Sequence, residues 1–388
     1  MFQLKSPGAM TLIEYLTETE EPTTLKATYE PIAQAAAKTA YRVDPLHDGR
    51  WDELVRRHPR ASLFHSTAWL KSLSKTYRYT PVVYTTSAPG QKLENGIVFC
   101  EVASWLTGKR LVSLPFSDHC EPLIHSPEDV QAVVFELEQE ARRGQLRYIE
   151  MRPLRPFKMV TSMRHAGVPY TMHQLDLEPN LSTLFCNCHK NSTQRKILRA
   201  DREGLEYREG ASEELLADFY SLHTNTRKRH HRPPQPRKWF INLMECFGDA
   251  LKIRVALKDR RPVASVVTIR YKDTMVYKYG GSDPQFNHLG SMHFLLWRSI
   301  QEAKGDGLKV FDFGRTEADQ HGLITFKKRW GTAQVNITYS RYGLSEKVTH
   351  MFESSSDHWK SRVATYVLAH LQPAILSTVG RALYRHVG

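Results

Sequence analysis

Between Phe311 and Gly331 the chain reads FDFGRTEADQHGLITFKKRWG, a run dense in residue types that can do polar chemistry. Leu308 to Phe313 has the apolar density of a strand, so Asp312, Gly314 and Arg315 fall at its C-terminal edge. That edge is where α/β folds open their binding sites. Arg315 has the planar fork that grips a carboxylate or phosphate through two bonds, or it pairs structurally with Asp312 or Glu317. Lys327, Lys328 and Arg329 follow between Phe326 and Trp330, either as a cationic site or as the solvated face of a turn.

Two further basic runs stand upstream. Lys190, Arg195, Lys196 and Arg199 contain no intervening acid, and a helix would put Arg195 and Arg199 on one face. Arg227 to Lys238, RKRHHRPPQPRK, carries six cations over twelve residues and reads as a Pro-rich loop. Both runs suit a nucleotide-linked acceptor, a tRNA acceptor stem or a polyprenyl pyrophosphate, or else they are charged surface. Tyr277 and Tyr279 alternate along one strand face, so one hydroxyl reaches a cleft or both rings pack in the core. Cys186-Asn187-Cys188-His189 lacks a second Cys/His pair at zinc spacing, and no metal site is expected. Asp118-His119-Cys120 invites a Cys–His nucleophile, but adjacent residues seldom face each other, so a loop after a strand is expected there.

The 388 residues fit two domains and, at 41% hydrophobic, exclude disorder as the main state. The net charge of +13 favours anionic partners. It belongs to the folded part, because the first 40 residues hold three Lys/Arg against five Asp/Glu. Five cysteines do not resemble a secreted disulfide framework, and the opening residues lack the pattern of a signal peptide. A cytoplasmic protein is the expectation, peripheral on the inner face of the plasma membrane if its tail touches lipid. The stretch Val363 to Gly380 is free of charge over 18 residues, but Thr365, His370, Gln372 and Pro373 interrupt it too often for a membrane span.

Residues 1–42 read as a flexible arm. From residue 43 to 160 the text gives helices around Trp51 and Trp69, strands over 81–86, 96–104 and 110–114, a helix over 127–143 and a strand over 148–152. Residues 161–345 repeat that grammar: helices over 181–202 and 212–226, strands over 251–258, 262–271 and 274–280, a helix over 291–304, then a strand over 308–313. Residues 333–342 alternate as a final strand, with 331–345 packing back on the first domain. Residues 346–388 form an amphipathic tail with basic flanks, suited to a membrane surface or to docking on the body.

The chain resembles the FemAB-like branch of the GNAT (Gcn5-related acyltransferase) superfamily. The resemblance rests on the Phe311–Gly331 run together with FHSTAWL at 64–70, LVSLPFSD at 111–118, YGGSD at 279–283 and LLWRSI at 295–300, and covers roughly residues 50–345. It implies an α/β fold of tandem GNAT-like domains, with mixed, mostly antiparallel sheets sharing a central cleft. It also implies transfer of an acyl or aminoacyl group to an amine, chemistry in which positioning and oxyanion stabilisation carry most of the barrier reduction. By motif Lys327 matches the family lysine near the reacting carbonyl, with Lys328 second. The catalytic candidates are Lys327, Tyr279 and Asp312. The substrate-binding candidates are Arg315, Lys328, Arg195, Lys196, Arg199 and Trp69. Gly290 and Ser291 sit where GNAT enzymes hold the pyrophosphate of coenzyme A, although Asn287 to Met292 keeps only one glycine of the usual loop.

The leading expectation is an N-acyl or aminoacyl transferase acting on an amine-bearing cell-envelope or exopolysaccharide precursor. No permanently bound cofactor is expected, the donor being aminoacyl-tRNA or acyl-CoA. The acceptor is expected to be anionic and nucleotide-linked or lipid-linked, with tRNA as a further partner. Competing readings are a coenzyme A-dependent acetyltransferase of a small or nucleotide-linked amine, and a non-catalytic GNAT-fold platform for an anionic polymer. The shorter, polysaccharide-associated type is favoured because no heptad arm occurs.

Overall fold

A computed structural model describes residues 38–105, 108–345 and 383–386. They form one twelve-stranded mixed sheet in the order β1-β2-β3-β4-β5-β12-β6-β11-β10-β9-β8-β7. The first half comprises β1 (Tyr41–Val43), α1 (Gly49–Arg57), α2 (Thr67–Tyr77), β2 (Thr80–Thr85), β3 (Ile97–Ser104), β4 (Gly108–Val112), α3 (Pro127–Arg143) and β5 (Tyr148–Met151). After β6 (Arg164–Asp176), α4 (Leu181–Asn187) and α5 (Arg195–Arg202), the second half follows with β7 (Glu206–Gly210), α6 (Glu213–Arg229), α7 (Arg237–Phe247), β8 (Leu251–Lys258), β9 (Arg261–Tyr271), β10 (Thr274–Ser282), α8 (Ser291–Gly305) and β11 (Val310–Glu317). The short α9 (His321–Lys328) and β12 (Ala333–Gly343) complete the described body.

The two halves obey one plan. In each, an antiparallel meander (β2-β3-β4, β8-β9-β10) leads through a long helix to a strand parallel to the meander's last member, β5 beside β4 and β11 beside β10. A parallel neighbour demands such a crossover, and α3 and α8 supply it. Their starts are written locally: Ser126 caps α3 by accepting from the Asp129 amide, with Pro127 in the first turn, where its missing N–H costs nothing.

β12 and β6 join the halves at the centre. β12 pairs antiparallel with β6 over eleven residue pairs and with β5 over three, so the last described strand completes the first half's sheet. Glu150 on β5 is gripped there by Arg152 at 2.6 Å and by Arg341 of β12 at 2.5 Å. Burial opposes its charge, but the two guanidiniums outweigh that and hold its carboxyl at about 2. One apolar core also spans both halves, packing Trp51, Trp69 and Leu73 with Phe219, Trp239 and Leu243.

Several sequence expectations need correction. β1 pairs with β2 through Tyr41 and Arg42, so the sheet begins inside the segment read as a flexible arm. β6 was not anticipated at all. The helix expected over 181–202 is broken at Cys188 and passes through a π-helical turn, Lys190–Gln194, before α5 begins. The basic run 227–238 keeps its Pro-rich loop over residues 230–236, but its ends are the last turn of α6 and the first of α7, whose buried Trp239 packs against Trp69 of α2 and whose Phe240 packs against Phe219 of α6. Most of the amphipathic tail lies outside the described residues; of it, Leu383 to His386 form a helical turn against the body.

Candidate functional site

β10 and β11 run side by side for only three residue pairs, ending at Val276 with Asp312. Beyond that point both strands bulge and part, β10 between Tyr277 and Tyr279 against β9, and β11 between Asp312 and Arg315 against β6. Bulges re-aim side chains and end pairing, so the gap opens at the C-terminal ends of two parallel strands. Lys278 lies in one bulge and Gly314 in the other. Gly314 has φ +70°, and a Cβ there would stand 3.3 Å from an Asp118 carboxylate oxygen, so glycine serves both the turn and the close approach.

Five ionisable groups converge on this opening. Lys278 Nζ donates to Asp118 at 2.7 Å and lies over the rings of Phe64, at 4.9 Å, and Trp69, at 5.5 Å. Burial raises the Asp118 carboxyl, but Lys278 overcomes it and the group is held below its ordinary value. Asp312, 2% exposed, accepts from the Gly314 amide at 2.6 Å and lies 4.0 Å from His119 Nε2; burial pushes its carboxyl up. Lys327, 3% exposed, donates to the carbonyls of Gly314 at 2.8 Å and Arg315 at 3.1 Å. Burial, only partly offset by Asp118 and Asp312, lowers its ammonium to about 8. An ammonium has three N–H donors, and two are used here, which leaves one for a ligand. The Arg315 guanidinium stacks over Tyr170 at 4.4 Å and Tyr339 at 5.2 Å. Glu317 is instead taken by Arg232 at 2.7 Å, so Arg315 pairs with neither acid that its sequence neighbourhood offered.

The structure thus brings Lys327, Asp312 and Arg315 to one opening. Tyr279 is close by, but its hydroxyl accepts from Trp239 Nε1 at 2.8 Å, and burial pushes its phenol well up, so it is no base. Trp69 has no exposed surface and supports Lys278 from within the core, which corrects its reading as a substrate contact. Lys328 points outward from the end of α9, and Arg195 and Lys196 are exposed on α5, where Arg199 pairs with Glu203 at 3.2 Å. The C-terminal end of α9 docks on the π-helical turn through the Arg329 carbonyl, which accepts from the His189 amide at 2.8 Å. Gly290 has φ +80°, and a Cβ there would sit 2.3 Å from the Lys196 carbonyl, so its glycine is explained by the approach of α5; Ser291 beside it is buried.

Sequence reasoning missed Asp118, His119 and Lys278. Asp118-His119-Cys120 was weighed only as a thiol site. Cys120 Sγ in fact lies 3.5 Å from His65 Nε2, and burial raises its thiol to about 12. The usable signal was the acid in LVSLPFSD, whose partner Lys278 is 160 residues away in the chain. Among the described residues no cluster of three or more His, Cys, Asp or Glu could hold a metal, and no helix is long and apolar enough to cross a membrane.

Residues 189–328 match an acetyltransferase (GNAT) domain. The described fold resembles the crystal structure of FemX, with TM-score 0.60 and 13% identity over 77% of this chain and 96% of that one. It also resembles the C-terminal domain of a putative lysylphosphatidylglycerol synthetase from Agrobacterium fabrum, with TM-score 0.51 and 13% identity over 79% and 93% of the two chains. The domain match and the fold likenesses agree on a GNAT-type fold. In sequence, 62 residues are 36% identical to the lipid II:glycine glycyltransferase of Staphylococcus saprophyticus, a match spanning 14% of this chain and 15% of that relative. The chain is thus similar to a FemAB-type transferase over a short stretch of sequence and to FemX in fold.

Proposed function

We propose that the protein is an acyltransferase that moves an acyl or aminoacyl group onto an amine of a cell-envelope precursor, with Lys327 as the group facing the reacting carbonyl. The amine nitrogen forms a bond to the carbonyl carbon and the carbonyl oxygen gains negative charge. The ester or thioester bond then breaks, and the proton given up by the amine ends on the leaving oxygen or sulfur. A fixed, buried ammonium with one free N–H is suited to that transient oxyanion. Asp118, held ionised by Lys278, can orient the incoming amine, and Arg315 on its tyrosine shelf offers a fork for an anionic part of either substrate.

The observation that carries this reading is the buried Lys327 held by two carbonyls beside the parting of β10 and β11. The likeness to a lipid II:glycine glycyltransferase favours a peptidoglycan-type acceptor over an exopolysaccharide one. The test is a screen of labelled aminoacyl-tRNA and acyl-CoA donors against nucleotide-linked and lipid-linked muropeptide precursors. Label should pass to an acceptor amine with the wild-type chain and not with Lys327→Met. Turnover on no donor, together with retained binding of the precursor, would favour a binding platform instead.

A further inference from the structure

The turn joining β3 to β4 carries the most exposed large apolar side chain among the described residues, Trp105, at 87% exposure. It lies outside the site and contributes to no core cluster. Its one ring contact is the edge of His386, at 5.9 Å. Large indoles are costly to leave in water, and they favour boundaries where one side is apolar and the other wet.

The segments that meet beside Trp105 are basic in sequence. The β3–β4 turn lies beside the connection from α3 to β5, the Arg147 amide donating to the Lys109 carbonyl at 2.8 Å. The described turn at 383–386 is tied to the same end, Arg110 donating to the His386 carbonyl at 2.6 Å and Ser104 meeting His386 Nδ1 at 2.9 Å. The three segments 102–111, 141–149 and 383–386 contain six Lys/Arg and no Asp or Glu. Lys109, Arg147 and Arg385 are exposed on these tied segments.

From this geometry we propose that the Trp105 end of the first half docks on an anionic phospholipid surface, the indole entering the headgroup layer and Lys109, Arg147 and Arg385 meeting lipid phosphates. A single protruding indole with exposed cations on the segments tied beside it suits a flat, anionic, partly apolar surface. A single-stranded nucleic acid would instead call for several stacking rings along a basic groove. Docking at this end would hold the described body at the membrane and goes beyond the proposed transfer reaction.

The test is co-sedimentation of the full chain with vesicles of phosphatidylglycerol alone and of phosphatidylcholine alone, for the wild type, Trp105→Ala and the Lys109→Glu/Arg147→Glu double variant. The wild type should pellet with phosphatidylglycerol and not with phosphatidylcholine, and each variant should bind about tenfold more weakly at unchanged circular dichroism. Because Trp105 and Lys109 stand on the surface, these variants should fold. Equal pelleting of variants and wild type, no pelleting of the wild type, or equal binding to both lipids would overturn the proposal. Retention of polyuridylate in place of vesicles, lost in the same variants, would replace the lipid with a nucleic acid and overturn it as well.

Discussion

Replacing Lys327 by Met should make the protein less sensitive to pH and no less stable near neutrality. An ammonium lowered from 10.5 to about 8 is strained in the folded state, and the difference corresponds to about 3 kcal/mol against folding. The sign follows from proton counting. Below pH 8 the group is charged in both states and the full penalty is present. As pH rises from 8 towards 10.5 the folded state sheds its proton first and the penalty is relieved. Methionine carries no such penalty, but it leaves the Gly314 and Arg315 carbonyls without their donor, at a cost of roughly 1–3 kcal/mol that does not vary with pH. Urea unfolding of both proteins at several pH values isolates the effect, because groups remote from Lys327 titrate alike in the two. The stability advantage of Lys327→Met over wild type should shrink by about 2–3 kcal/mol between roughly pH 7 and pH 10. A difference that stays flat over that range would refute the buried, depressed ammonium.

Other perturbations follow from the same geometry. Glu150→Gln should destabilise by about 3 kcal/mol at neutral pH, because it strands Arg152 and Arg341 where the halves meet. The wild-type stabilisation, fully present above 4.5, should fade as pH falls towards 2, and acid titration of the two unfolding curves should converge there. Gly290→Ala places a Cβ 2.3 Å from the Lys196 carbonyl at a positive φ, so it should push α5 from α8 and lower stability by about 2 kcal/mol or more, read by thermal unfolding.

Local text carried much of the fold. The meander β8-β9-β10 was legible because its turns are two or three polar residues between apolar runs, and α8 and α3 because their apolar faces repeat at helical spacing. β6 was not, because Gly167 and Pro169 break its reading as a strand and its first half is largely solvent-facing. α7 was masked by the Pro and Arg residues that precede it, though Trp239, Phe240 and Leu243 already marked a buried helix face. The place of β12 between β5 and β6 is a long-range pairing that no local window contains. At the site, Lys327, Asp312 and Arg315 share one short stretch and were legible together. Asp118 and Lys278 needed the fold, because each becomes meaningful only across the parting of β10 and β11.

The most direct measurement is the pH dependence of acyl transfer by wild type, Lys327→Arg and Lys327→Met, using whichever donor and precursor pair the screen identifies. If protonated Lys327 stabilises the oxyanion, wild-type kcat falls as pH rises through about 8. The arginine variant, charged at every accessible pH, should lose that limb while keeping part of the rate, and the methionine variant should lose about a hundredfold or more in kcat. Superimposable profiles for all three proteins would contradict the assignment of Lys327 to the reacting carbonyl.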